Sequence, residues 1–189
     1  MKIGVLALQG AVREHSNAIR ACGAEPVEVR YPEQFAEVAG LIIPGGESTT
    51  VGKLLIRYQM LEPLAKLGGA GFPIFGTCTG LILLAREIIG SDQPRLGLMD
   101  ITVNRNAFGR QIASFEADLP VTEIGPPDFH TIFIRAPFIT AAGPGVQVLA
   151  RLDEKILMAR QGNLLAAAFH PELTGDLRIH QYFLKLCRK

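Results

Sequence analysis

The sequence predicts an α/β fold, a three-layer, mostly parallel open sheet with helices on both faces and antiparallel strands added at one edge. Two observations carry this expectation. Through the first half of the chain, short continuous apolar runs alternate with helix-length amphipathic segments, which is the pattern of strands buried on both faces and joined by crossover helices. From about Asp100 the texture changes to short strand-like pieces separated by Pro and Gly.

The elements follow in order. Ile3 to Leu8 is an apolar strand, and Ala11 to Cys22 has helical spacing with a stop at Gly23. Pro26 to Arg30 is a second strand and Leu41 to Pro44 a third, ending in Gly45-Gly46. Pro73 to Thr77 is a fourth and leads into the helix-like Leu81 to Ile89. The edge pieces are Ile101 to Val103, Gln111 to Glu116, Thr131 to Arg135 and Val146 to Leu152. Leu164 to Phe169 then returns as an apolar strand. Asp176 to Cys187 closes the chain as a helix, with Leu177, His180, Gln181, Leu184 and Cys187 near one stripe. A length of 189 residues suits one core and is short for two, so a single domain over residues 1–189 is expected.

Composition excludes several functions. Nineteen Lys and Arg are scattered among eighteen Asp and Glu, with no basic block to meet a phosphate backbone, so no nucleic-acid partner is expected. No run reaches the roughly 18 apolar residues of a membrane span, and the apolar start is short and lacks a cleavage pattern, which favours a strand over a leader. The three cysteines, Cys22, Cys78 and Cys187, are odd in number and have no C-x-x-C spacing, so neither a disulfide framework nor a zinc site is expected and a cytoplasmic setting fits. No histidine pair has metal-ligand spacing. His15, His130 and His180 are expected in structural or solvated roles, and no metal or cofactor is expected.

In open sheets of this kind ligands bind beyond the carboxyl ends of the strands. Four such ends carry unusual residues: Gln9-Gly10, Gly45-Gly46-Glu47-Ser48, Gly76-Thr77-Cys78-Thr79-Gly80 and His170-Pro171-Glu172. The third has the G-x-nucleophile-x-G form of a nucleophile elbow between a strand and a helix, with cysteine in the reactive place. An average cysteine is a small buried hydrophobe, and the flanking glycines reverse that preference here. A cysteine nucleophile needs a base, and in His170-Pro171-Glu172 the proline keeps its neighbour extended so that Glu172 can orient His170.

At these residues the chain resembles the class I glutamine amidotransferases, which join a G-x-C-x-G elbow to a late H-P-E segment and a Gly-Gly loop. Leu6-Ala7-Leu8-Gln9-Gly10-Ala11, Pro44-Gly45-Gly46-Glu47-Ser48-Thr49-Thr50, Arg105-Asn106-Ala107-Phe108-Gly109-Arg110-Gln111 and Phe133-Ile134-Arg135-Ala136-Pro137 look like the vitamin B6 branch, the glutaminase subunits of pyridoxal 5'-phosphate synthases. The likeness covers essentially the whole chain. That branch often has alanine after the nucleophile, where this sequence has Thr79.

The resemblance implies a flavodoxin-like sheet, a triad of Cys78, His170 and Glu172, and hydrolysis of L-glutamine through a cysteine thioester. It places glutamine against Gly46, Glu47, Ser48, Arg105, Ile134 and Arg135, and the oxyanion against Gly45, Gly46 and Thr79, with Gln9 completing the site. Ser48-Thr49-Thr50 is expected to cap the following helix as well. The partner it implies is a separate synthase subunit, which forms pyridoxal 5'-phosphate from ribose 5-phosphate, glyceraldehyde 3-phosphate and the ammonia released. A glutaminase serving another synthase, a different thiol hydrolase on a similar sheet, and a silent docking subunit remain alternatives at this point.

Overall fold

The computed structural model describes residues 1–105 and 114–188. In chain order the strands and helices are β1 (Lys2–Leu6), α1 (Val12–Ala21), β2 (Glu25–Val29), β3 (Leu41–Ile43), α2 (Ser48–Arg57), α3 (Leu61–Gly69), β4 (Ile74–Thr77), α4 (Thr79–Leu84), β5 (Ala85–Ile88), β6 (Met99–Asn104), β7 (Ser114–Leu119), β8 (Phe129–Ile134), β9 (Phe138–Ala142), β10 (Gln147–Leu152), β11 (Lys155–Gln161), β12 (Leu164–Ala167) and α5 (Arg178–Leu186). Short 3-10 turns occupy Pro32–Glu37 and Pro171–Leu173.

Among the described residues ten strands form one sheet, in the order β2-β1-β3-β4-β12-β11-β9-β6-β5, with β10 paired to β11 beside this path. From β2 to β12 every pairing is parallel. The pairs of β11 with β12, β9 and β10, and of β6 with β9, are antiparallel. The parallel half with antiparallel additions is therefore as the sequence predicts. The four strands whose ends carry the unusual residues, β1, β3, β4 and β12, each have a neighbour on both sides. β3 and β4 are buried along their whole length, which is why they read as unbroken apolar runs.

The pleat of β4 shows how the layers are assigned. Phe75 packs against His15 of α1 and against His180 and Phe183 of α5, with ring centroids 6.4, 6.2 and 5.6 Å away. A Cβ on the intervening Gly76 would instead overlap the backbone of Gly80 in α4. Successive residues of a strand face opposite sides, so α1 and α5 cover one face and α4 the other.

Several expectations need correction. Leu81 to Ile89 is not one helix, because the helix ends at Leu84 and Ala85 turns extended, with φ −63° and ψ 140°, to pair with Met99 of β6. Leu81 to Ala85 is apolar throughout and carries no period from which that break could be read. β7 and β8 form a two-stranded sheet of their own instead of joining the main edge. Of the expected strand Gln111 to Glu116, residues 111–113 lie outside the described residues, as do 106–111 of the motif that starts at Arg105. The cap of α2 is Glu47, whose carboxylate accepts from the Thr49 and Thr50 amides at 3.1 and 2.6 Å, so Ser48, Thr49 and Thr50 belong to the first turn and do not supply the cap.

Candidate active site

The four strand ends converge. Gln9 beyond β1, Gly45 to Ser48 beyond β3, Cys78 and Thr79 beyond β4, and His170 beyond β12 line one cavity of about 530 Å³, together with Ile82, Arg105, Ile134 and Arg135. Every expected site residue lies on its wall except Glu172, which sits behind His170 with 8 % of its surface exposed. A second cavity of about 530 Å³, between Val121, Pro126 and Leu149, has no cysteine or histidine on its wall.

Cys78 is the turning point of the elbow, with φ +48° and ψ −95°. A non-glycine residue at positive φ is strained, and such strain persists only where the surroundings impose it. Here the Cys78 amide donates to Ala167 O of β12 at 2.8 Å, while Gly76 and Gly80 approach the neighbouring backbone too closely for any side chain. The flanking glycines thus perform the task that the motif assigns to them.

His170 Nδ1 lies 2.7 Å from Glu172 Oε1, which leaves its other ring nitrogen for Cys78, its neighbour on the cavity wall. Its amide donates to Ile132 O of β8 at 2.9 Å, fixing the backbone from which the ring projects. Burial works against charge on this ring, but Cys78 and Glu172 beside it outweigh burial and raise the imidazole from 6.5 to about 10. Burial also pushes the Glu172 carboxyl up, yet the facing histidines leave it below its usual value. An imidazolium held between sulfur and carboxylate is the arrangement a thiol nucleophile needs.

The loop opposite the sulfur is tied down by Thr79. Its hydroxyl donates to Gly46 O at 2.6 Å and accepts from the Gly46 amide at 3.1 Å. The Gly46 N–H is therefore already engaged, and reaching an oxyanion requires it to leave Thr79. The Gln9 carboxamide oxygen accepts from the Glu47 amide at 2.8 Å, joining the first strand end to the same loop. Glu47 spends its carboxylate on the α2 cap, where the Thr50 hydroxyl foremost holds it ionised, and offers the cavity its backbone.

Sequence reasoning missed Gln93. Its buried carbonyl oxygen accepts from Arg105 Nη1 in a short hydrogen bond and from the Ser48 and Thr49 hydroxyls at 3.2 and 3.3 Å. Arg105 also donates to Thr49 Oγ1 at 3.2 Å, so its fork is anchored from behind. Nothing in the composition around Gln93 could have signalled this, because its partners come from α2 and from the end of β6. Arg135 faces the cavity from a backbone at φ +45°.

His15 and His180 are wholly buried, which excludes solvation for both, whereas His130 is exposed between Asp118 and Glu116 at 2.8 and 3.1 Å. Among the described residues no cluster of His, Cys, Asp and Glu could hold a metal ion, and no helix is long and apolar enough to cross a membrane.

The model of the SNO glutamine amidotransferase family matches residues 5–189. The chain belongs to this family. It is 67% identical over 187 residues to the pyridoxal 5'-phosphate synthase subunit PdxT of Pelotomaculum thermopropionicum, covering 99% of this chain and 95% of that one. Identity to the protein of the same name from Geobacillus kaustophilus is 58% over 189 residues, covering 100% and 96%. A solved structure described as a glutamine amidotransferase superposes with a TM-score of 0.94 at 51% identity, over 99% of both chains. A chain in the structure of PurLQS from Thermotoga maritima shares the fold, with a TM-score of 0.72 at 19% identity over 97% of both chains.

Proposed function

We propose that the chain is a single-domain glutaminase that hydrolyses L-glutamine to L-glutamate and ammonia, supplying the ammonia to a synthase subunit that makes pyridoxal 5'-phosphate from ribose 5-phosphate and glyceraldehyde 3-phosphate. The observation that carries the chemistry is His170 held between Glu172 and Cys78 at the wall of the cavity. Relatives named as subunits of pyridoxal 5'-phosphate synthase, matched over nearly their full length, support the pathway and the partner. Unpaired Cys22, Cys78 and Cys187 support a cytoplasmic setting.

In this reading the Cys78 thiolate attacks the side-chain amide carbon, and the C=O electron pair moves onto oxygen. That oxyanion is met by the Thr79 amide and, once released from the Thr79 hydroxyl, by the Gly46 amide. Collapse breaks the C–N bond as the His170 imidazolium gives its proton to the departing nitrogen, releasing ammonia. Water then attacks the thioester and loses a proton to neutral His170. The C–S bond breaks, glutamate leaves, and thiolate and imidazolium are restored. Arg105 and Arg135 supply guanidinium forks for the α-carboxylate of the substrate.

Ammonia release from glutamine by the purified chain, alone and mixed with a pyridoxal 5'-phosphate synthase partner subunit, tests the proposal. Stimulated release that disappears in Cys78→Ala is expected. Turnover that survives Cys78→Ala overturns the nucleophile, and release indifferent to the partner overturns the pathway.

A further inference from the structure

Behind the triad lies a second polar chain that the glutaminase reaction does not use. His15 of α1, fully buried, places Nε2 3.1 Å from Thr77 Oγ1 and 3.3 Å from Glu172 Oε2. Its Nδ1 lies 3.1 Å from Nε2 of His180 on α5, which is also buried. Glu172 Oε2 has no aligned hydrogen bond among the described residues, and neither has His180 Nδ1. The two carboxylate oxygens of Glu172 thus face different histidines, His170 on the cavity side and His15 on the core side.

Protons can be arranged on this chain in two ways. Burial holds both rings on the neutral side, His15 below its ordinary value and His180 down to about 3, so each carries one N–H. If His15 carries its hydrogen on Nδ1, Nε2 can accept from the Thr77 hydroxyl but its lone pair also faces the Glu172 carboxylate, and His180 must bury an unpaired N–H at Nδ1. If His15 carries it on Nε2, that N–H bonds Thr77 Oγ1 and faces the carboxylate oxygen 3.3 Å away. His180 then donates from Nε2, and the orphan at its Nδ1 is only a lone pair. The second arrangement avoids a repulsion and a buried unsatisfied donor. The other charged groups around the pair are His170 and, next to His15 on α1, Glu14, and neither reaches a ring nitrogen of the pair with a hydrogen bond.

We propose that His180 and His15 form a neutral relay, His180 Nε2–H to His15 Nδ1 and His15 Nε2–H to Thr77 with its positive end turned to the Glu172 carboxylate, in which His15 is a positioning residue. It steadies the carboxylate that orients His170 and, through Thr77, the residue before the nucleophile. This rests on the triad role proposed above for Glu172.

Two measurements test it. Imidazole 15N NMR of the unaltered chain reads the tautomers without reference to activity. Two neutral Nε2–H rings at pH 8 are expected, and an Nδ1–H tautomer at His15 overturns the relay. Glutaminase kinetics in the presence of the synthase subunit then separate positioning from packing. His15→Leu should lower kcat by roughly 10- to 100-fold with little change in KM, the worth of one polar contact with a charged group. His15→Gln, which carries an N–H near the place of Nε2, should recover most of that loss. Equal kinetics for Leu and Gln overturn the positioning role. If His15→Leu does not fold, the tautomers decide the question alone.

Discussion

His170 Nδ1 and Glu172 Oε1 meet at 2.7 Å across a single proline, at the start of the 3-10 turn Pro171–Leu173. A carboxylate so placed accepts the Nδ1 hydrogen and leaves Nε2 as the ring nitrogen available to the sulfur in the proposed reaction. Glu172→Gln keeps the shape but can present an N–H where an acceptor is needed. Its kcat for glutamine should fall by on the order of 10⁴-fold with the fold intact, as for the amide replacement of an orienting carboxylate in a serine triad. A loss below tenfold would remove the orienting role.

Thr79→Ala frees the Gly46 peptide, because both of its polar groups are held by that one hydroxyl. The isolated chain should then release ammonia faster than the unaltered chain, and the factor by which a synthase subunit stimulates it should shrink. Ammonia assays of both forms, with and without partner, check this. An unchanged or lower rate for the isolated variant would show that the Thr79 hydroxyl does not restrain the loop.

Gln93→Leu removes the acceptor that braces Arg105 while leaving the cavity wall in place. KM for glutamine should rise by roughly tenfold, about 1.5 kcal/mol for a hydrogen bond to a charged group, with kcat little changed. Steady-state kinetics separate the two constants, and a fall confined to kcat would contradict the bracing role.

The buried histidines make folding sensitive to acid. His15 and His180 are held below their unfolded value of 6.5, so the unfolded chain binds the extra protons. The stability they confer is complete above pH 6.5 and is lost as pH falls below it, for His180 down to about 3. Each can withdraw up to about 1.4 kcal/mol per pH unit in that window. His170 has the opposite sign and acts elsewhere: raised to about 10, it confers stability that is complete below 6.5 and lost as pH rises towards 10. Thermal melts should therefore show Tm dropping between pH 6.5 and 5, before the carboxyls titrate. His180→Gln should flatten that slope, and an equally steep slope in the variant would locate the proton uptake elsewhere.

What the sequence makes legible is local and repetitive. The strand before Cys78, the elbow glycines and the proline between His170 and Glu172 announce themselves because each constraint acts within five residues. β9, β11 and α3 give no such local signal, and Ala85–Ile88 reads as helix from its residues alone, because their identity depends on which strand or face waits beside them. The site divides in the same way. Its wall is legible residue by residue, whereas Gln93, His15 and His180 act through partners 12 to 165 positions away.

None of the four strands whose ends carry Gln9, the Gly45-Gly46 loop, Cys78 and His170 is an edge strand: β1, β3, β4 and β12 are each hydrogen-bonded on both flanks. Sliding any of them would break two ladders at once, so on this side the cleft is reshaped by rotating peptides in the loops above a fixed floor. Deuterium uptake should display that division as amides in these strands that exchange only on global unfolding, beneath a rim at residues 45–48 that exchanges early.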